Sequence, residues 1–360
     1  MPRVLCVTDF SDRAEAACLA GLPGQGFEIS VMCPRQAPSW QTFAAAGLHT
    51  IDLRIKGNID RHAIQAIREE LQRVNYDIVH TFNNRAITNA LLATRNIDIR
   101  IVAYRGIVGN VSFLDPMSWL RYLHPRVDRI VCVANAVRDY FLDMGLPGLR
   151  VDRQKPVTIY KGHDLDWYRD EPADLALLGI PASAFVICCV ANDRPRKGLP
   201  VLIDALDQLP AAVDTWLLLV GKMDSPRLQK KIAASPRRNR IVMAGYREDA
   251  PTLAAASDCL VLPALRREGL PKVVIEAMAY ATVPIVTDSG GSPELVVDGE
   301  SGLVVPPGEA AAIAAAIEKL HDDTDLCRTM GKAAQARIRK SFRVEDTIMQ
   351  TAALYRELLA

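Results

Sequence analysis

Residues 259–276 open with Cys259-Leu260-Val261-Leu262, pass through Pro263 to Arg267, and continue Glu268-Gly269-Leu270-Pro271-Lys272-Val273-Val274-Ile275-Glu276. Four consecutive apolar residues without alternation read as a strand buried on both faces, as in a parallel sheet. Pro271 suits the first turn of a helix, where its fixed φ is already helical. A strand, a glycine-bearing loop and a helix start together make an anion site, because the first-turn amides lack acceptors and the helix dipole is positive there. Gly269 lets the backbone come close to a ligand. Glu268 falls at the mouth of the loop and Glu276 about two turns further on. Two carboxylates are thereby available for hydroxyl groups on either side of a phosphate. A second tight turn, Ser289-Gly290-Gly291-Ser292-Pro293-Glu294, follows the next strand and can close over the same place.

The same rhythm extends outward in both directions. Towards the amino terminus of the half that holds this motif, apolar runs at 185–190, 216–220 and 240–244 read as strands, and beyond the motif so do 283–287 and 302–305. Helical spacing covers 199–209, 251–256, 271–281 and 309–320. The other half repeats the pattern, with strands at 3–8, 29–33, 78–82, 99–104, 129–133 and 157–160 and helices at 61–74, 86–94 and 136–144. Between 161 and 181 the periodicity gives way to Gly, Pro, Asp and aromatic residues, which reads as a linker. The fold class is therefore α/β, with two Rossmann-like domains. Ligands of such sheets bind beyond the carboxyl ends of the strands, so two domains facing each other place the site in the cleft between them. The expected boundaries are 1–162 and 163–342, followed by a final helix at 343–360, which a resemblance to a known family implies packs back on the first domain.

Composition agrees. A chain of 360 residues is long enough for two domains at about 150 residues each. With 49% hydrophobic and 24% charged residues it is not a disordered chain. Lys+Arg is 43 and Asp+Glu is 42, a net charge of +1, which offers no general basic field for nucleic acid. The basic run Lys230, Lys231, Arg237, Arg238 and Arg240 reads as a solvated face. No apolar run reaches the roughly 18–20 residues needed to cross a bilayer, and Met1-Pro2-Arg3 leads directly into a strand rather than a signal peptide. The eight cysteines show no Cys-x-x-Cys pair and no zinc spacing, and most lie in apolar runs as small hydrophobes. A reducing, cytoplasmic location is expected, with the amphipathic 117–125 available to touch the inner face of a membrane or a lipid acceptor.

The ordered set of motifs resembles the retaining glycosyltransferases of family 4, which have the GT-B fold. Their Glu-x7-Glu signature is met by Glu268 and Glu276, and its continuation by Ala277 to Glu294 and by Gly299-x-x-Gly302-Leu-Val-Val-Pro-Pro-Gly308. The resemblance implies that Glu268 contacts the hydroxyls of a donor sugar and Glu276 the ribose of its nucleotide. The amides at Gly269, Leu270 and Pro271 would face the sugar and diphosphate, with Lys272 beside them. The family's Arg-x4-Lys-Gly loop corresponds to Asn192-Asp193-Arg194-Pro195-Arg196-Lys197-Gly198. Lys197 keeps the family lysine; Asn192 stands where the arginine is usual, so Arg194 is the expected substitute and Arg196 the second choice. Such cations would stabilise the charge of a departing nucleoside diphosphate. Tyr246 and Arg247 lie where the family places groups near the base.

In the first domain the match is thinner. Thr8-Asp9-Phe10-Ser11-Asp12 replaces the family's Gly-Gly loop, His80-Thr81-Phe82-Asn83-Asn84-Arg85 its His-x-His, and Tyr104-Arg105-Gly106 its His-Gly. Ser11, Asn83, Arg85, Arg105 and, at the hinge, His163 are the acceptor-side candidates. The two arginines suit an anionic acceptor such as a phosphate or an acidic sugar. Asp164-x-Asp166 is a three-letter match to a metal motif of a different fold, and no metal or other cofactor is implied. The expected activity is transfer of a sugar from a nucleotide-sugar to a saccharide, lipid-linked or lipopolysaccharide acceptor with retention of configuration. A nucleotide-sugar epimerase of the same fold and a non-catalytic nucleotide-sugar binder are the rival readings.

Overall fold

The computed structural model describes residues 1–360. The chain divides into two compact units: Met1–Gly162 with Arg343–Ala360, and His163–Phe342.

In the first unit β1 (Arg3–Val7), β2 (Glu28–Cys33), β3 (His49–Asp52), β4 (Ile78–Thr81), β5 (Arg100–Arg105) and β6 (Arg129–Cys132) are followed by a small hairpin, β7 (Gly145–Leu146) and β8 (Leu149–Arg150), and then by β9 (Pro156–Thr158). Seven of them form one parallel sheet in the order β3-β2-β1-β4-β5-β6-β9. Successive residues of β1 point to opposite faces. Val4 and Cys6 accordingly enter one core and Leu5 and Val7 the other, each fully buried. The His49–Asp52 strand gives no apolar run, since it is an edge strand with exposed ends. The helix Arg13–Gly21 is also absent from the sequence reading. Its alanines carry little periodic signal, and it is fixed instead by Asp12, whose side chain accepts from the Glu15 amide at the N-cap.

The last helix, Val344–Leu359, belongs to this unit. Its first turn carries Glu345 and Asp346 and its last turn Arg356, the charge order the helix dipole favours. Ala352, Leu354, Tyr355 and Leu358 enter the core on the Val4/Cys6 side. Burial of large apolar side chains of this kind stabilises by roughly 1.5–3 kcal/mol each. Tyr355 sets its ring edge-on to Phe27 at 5.3 Å and shares a 2.6 Å hydrogen bond with His80 Nδ1. Where the helix joins the sheet, a Cβ on Gly162 would strike the carbonyl of Arg343.

The second unit contains β10 (Phe185–Val190), β11 (Thr215–Val220), β12 (Ile241–Gly245), β13 (Cys259–Leu262), β14 (Val283–Thr287) and β15 (Leu303–Val305). They form a parallel sheet in the order β12-β11-β10-β13-β14-β15. Ile187, Leu217 and Val261 pack in the main core, while Cys188, Leu218 and Leu260 are equally buried on the opposite face. Seven of the eight cysteines are buried; burial pushes the Cys189 thiol up to about 12, so it stays a neutral, packed group. The 18-residue helix Thr324–Ser341 supplies cover that the sequence reading did not identify. Both sheets reverse their strand order once, between β1 and β4 and between β10 and β13, and these switch points are where open α/β sheets take ligands. The resulting architecture is the GT-B type, two Rossmann-like units in tandem. No helix is long and apolar enough to cross a membrane.

Candidate functional site

At the second unit's switch point, the loops that leave β10 and β13 lock together. The Leu265 amide donates to the Arg196 carbonyl at 2.8 Å, and Gly198, at φ 70°, lies so near the Pro263 carbonyl that a Cβ would collide with it. The loop after β14 clamps from the other side. Gly290, at φ 59°, rests on the Glu268 carbonyl, to which the Gly291 amide donates at 3.3 Å. Arg267, just before Glu268, holds a positive φ of 66° without being glycine. A conformation of that kind costs about 1–3 kcal/mol and persists only where the surroundings impose it.

These constraints bury Glu268 to 5% exposure and aim its carboxylate at two cations. Glu268 Oε1 accepts from Arg196 Nη1 at 2.9 Å and pairs with Lys197 Nζ at 2.9 Å. The short turn Pro195–Lys197 delivers both cations side by side. Arg194 does not join them: it is exposed at the start of that turn and lines a separate cavity with Asp193, Ser225 and Arg227. The sequence reading ranked Arg194 first because it lies nearer the family arginine position. Spacing cannot show that Arg194 stands before the 3-10 turn Pro195–Lys197 as its N-cap while Arg196 lies within it.

The helix Lys272–Ala279 starts one residue later than expected, with Pro271 as its N-cap and no side-chain cap. One expectation is corrected here by elementary chemistry: Pro271 has no N–H and donates nothing. The amide donors of this segment are those of Gly269 and Leu270 before the proline and of Lys272 and Val273 after it, the last two having no acceptor inside the helix. Glu276 is buried one face further along, with Lys272 Nζ 2.9 Å from its Oε1. Three cations and two carboxylates leave these five side chains with one net positive charge, in line with the sign of the helix N-terminus. The arrangement can exchange its internal ion pairs for an incoming diphosphate and polyol. Tyr246 is exposed after β12 at the sheet edge, and Arg247 is held by both carboxylate oxygens of Asp249 at 2.7 and 2.6 Å.

In the first unit a cavity of about 460 Å³ opens at the carboxyl ends of β1, β4 and β5. Asn83 and Arg85 line it. Asn83 caps the helix Asn84–Ala93, its Oδ1 accepting from the Arg85 and Ala86 amides. Arg105 also lines this cavity, with part of its guanidinium engaged elsewhere. Its Nε donates to the Ile107 carbonyl at 2.9 Å, its Nη2 to the Gly109 carbonyl, and its guanidinium lies 5.0 Å from the Tyr122 ring centroid. Its donors hold the 105–109 loop. Ser11 lies buried against Thr8 Oγ1 at 3.3 Å. His163, the first residue of the second unit, shares a 2.6 Å hydrogen bond with Tyr168 and stacks on its ring. Asp9 was not among the sequence candidates, though it sits in the loop that replaces the family's Gly-Gly. Burial raises its pKa, against the opposing pull of Arg85 and the Ile55 amide.

Comparison with known proteins follows the same division. Residues 170–337 match the family described as Glycosyl transferases group 1, and residues 17–167 match Glycosyltransferase Family 4. The chain is 30% identical over 264 residues to alpha-maltose-1-phosphate synthase of Mycolicibacterium smegmatis, covering 68% of this chain and 67% of that one. It is 24% identical over 313 residues to the phosphatidyl-myo-inositol mannosyltransferase of the same organism, covering 84% and 78%. Among solved structures, Anabaena HepE in complex with UDP and glucose superposes with a TM-score of 0.81 at 21% identity, covering 99% of this chain and all of the other (100%).

Proposed function

The chain belongs to the family 4 group of glycosyltransferases, and from that premise we propose that it moves a sugar from a nucleotide-sugar to a hydroxyl of a saccharide or lipid-linked acceptor with retention of anomeric configuration. The observation that carries the reading is the buried Glu268 carboxylate flanked by Arg196 and Lys197 beside an uncapped helix N-terminus at the switch point. Glu268 orients the donor sugar through its hydroxyls, and Glu276 holds the nucleotide ribose. Arg196, Lys197 and the amides of Gly269, Leu270, Lys272 and Val273 take up the charge that grows on the leaving diphosphate. Retention follows from a front-face displacement. The bond from the anomeric carbon to the diphosphate oxygen breaks, its electron pair stays on that oxygen, and the same oxygen receives the proton of the acceptor hydroxyl as the new C–O bond forms. The cations supply the charge stabilisation, so the reaction proceeds without a metal ion.

The relatives are transferases, which does not favour the epimerase or the non-catalytic binder. A lipid-linked acceptor would be met at the inner face of a membrane, against which the exposed Leu114, Trp119 and Leu120 would lie. The test is a product analysis by NMR with UDP-, GDP- and ADP-sugars, each with a panel of saccharide acceptors. A product with the donor's anomeric configuration is expected; the opposite configuration refutes retention, and donor conversion to an epimer without acceptor refutes transfer.

A further inference from the structure

We propose that the Lys272 side chain sets the selectivity of the nucleotide site. Its ammonium holds Glu276 until a nucleotide arrives and then passes to the diphosphate, so the site takes nucleoside diphosphates and turns nucleosides away. The inference rests on the transferase reading and adds to it what the Lys272–Glu276 pair does.

Lys272 and Glu276 lie one turn apart on the helix Lys272–Ala279, with Nζ 2.9 Å from Oε1. The order of this pair is the unfavourable one. A cation ahead of an acid opposes the helix dipole, and pairs with the acid first are the more stabilising. The chain's ion pairs three residues apart, Glu70 with Arg73, Asp166 with Arg169 and Asp325 with Arg328, all put the acid first. Lys272 is moreover the first residue of its helix, whose first turn holds no acid and whose N-cap, Pro271, gives no side-chain bond. The long helices Thr324–Ser341 and Val344–Leu359 instead carry acids in the first turn and bases in the last. Helix stability therefore does not account for a lysine at this position.

Burial and exchange together do. The Glu276 side chain is 9% exposed and that of Lys272 46% exposed. A buried carboxylate without a counter-ion is costly, and Lys272 supplies one. When the carboxylate turns to ribose hydroxyls, the ammonium loses its partner. Side chains of a helix leave the backbone tilted towards its N-terminus, the end where the proposed diphosphate lies. The flexible four-carbon stem lets the charge cross over while the helix stays in place. A nucleoside diphosphate thus brings the anion that replaces Glu276. A nucleoside brings none, and its ribose must displace an ammonium that is then left unpaired at the positive end of a dipole. Arg196 and Lys197 are already engaged by Glu268.

Isothermal titration of the intact chain tests this with whichever of UDP, GDP and ADP stabilises the wild type, and with its nucleoside by competition. Lys272→Gln removes the charge and keeps a donor for Glu276; Lys272→Arg restores the charge. Lys272→Gln is expected to bind the diphosphate about tenfold or more weakly, and the nucleoside no more weakly, than the wild type. Lys272→Arg should recover most of the diphosphate affinity. The proposal is overturned by a diphosphate affinity in Lys272→Gln within about threefold of the wild type, or by a Lys272→Arg variant as weak as Lys272→Gln. Equal losses for diphosphate and nucleoside would also overturn it, since they would make Lys272 a general support of the site. If a diphosphate binds the wild type and Lys272→Gln alike, the role of Lys272 alone is wrong. If none of the three binds the wild type, the transferase reading falls and this role with it.

Discussion

Arg196→Ala should be far more damaging than Arg194→Ala, two positions away in the same loop. Arg196 Nη1 lies 2.9 Å from Glu268 Oε1, and its side chain is 23% exposed. At an effective dielectric of about 20, a unit-charge pair at that distance interacts by roughly 6 kcal/mol before desolvation is subtracted. Lys197 shares the same carboxylate oxygen, so the ground state keeps one partner and the fold should lose only about 1–2 kcal/mol. Catalysis should suffer more. On the proposed mechanism the departing diphosphate develops its charge beside these cations, and a preorganised donor at such a place is worth about 3 kcal/mol, or roughly 10²-fold in kcat. Steady-state release of nucleoside diphosphate in the presence of acceptor measures this directly. The expected result is a roughly hundredfold fall in kcat for Arg196→Ala with the donor KM changed far less, against a change within about threefold for Arg194→Ala. A larger loss in Arg194→Ala, or a kcat for Arg196→Ala within threefold of wild type, refutes the placement of the cations.

Lys197→Ala should likewise reduce kcat more than donor affinity; equal losses in both would assign it to ground-state binding. Gly290→Ala puts a side chain at φ 59° against the Glu268 carbonyl, so a stability loss above about 2 kcal/mol together with weakened donor binding is expected in denaturant titrations with and without nucleotide. Burial pushes the His80 imidazole down to about 3, below its unfolded value near 6.5. The unfolded chain therefore takes up a proton that the native chain refuses: stability from this group is complete above about pH 6.5 and declines as pH falls towards 3. About 2 kcal/mol is lost by pH 5. Wild-type unfolding free energy should consequently fall more steeply between pH 7 and 5 than that of His80→Gln, and parallel profiles would contradict the argument.

The motifs after β10 and β13 could be read from sequence because a buried parallel strand, a glycine and a helix start are each local signals that fall in fixed order. Glu268 and Glu276 lie on these local signals, Lys197 and the roles of all three come from the family resemblance, and the structure brings Glu268 and Lys197 together. What the sequence concealed depends on direction rather than identity. Arg194 and Arg196 are the same residue type two positions apart, and only the turn Pro195–Lys197 shows which one faces the carboxylate. Likewise the sequence does not show that Arg105 gives two of its donors to the Ile107 and Gly109 carbonyls. The edge strand His49–Asp52 and the alanine-rich helix Arg13–Gly21 escaped for a related reason, since neither presents a strong apolar period.

The central claim, that the second unit holds a nucleoside diphosphate through Glu276 and the neighbouring cations and amides, is tested most directly by the melting temperature of the wild type and of Glu276→Ala with UDP, GDP and ADP in EDTA. A ligand that binds only the native state raises the melting temperature with its occupancy. One diphosphate should stabilise the wild type in EDTA, and Glu276→Ala should lose most of that shift. Failure of all three to stabilise the wild type at millimolar concentration, or an undiminished shift in Glu276→Ala, would contradict it.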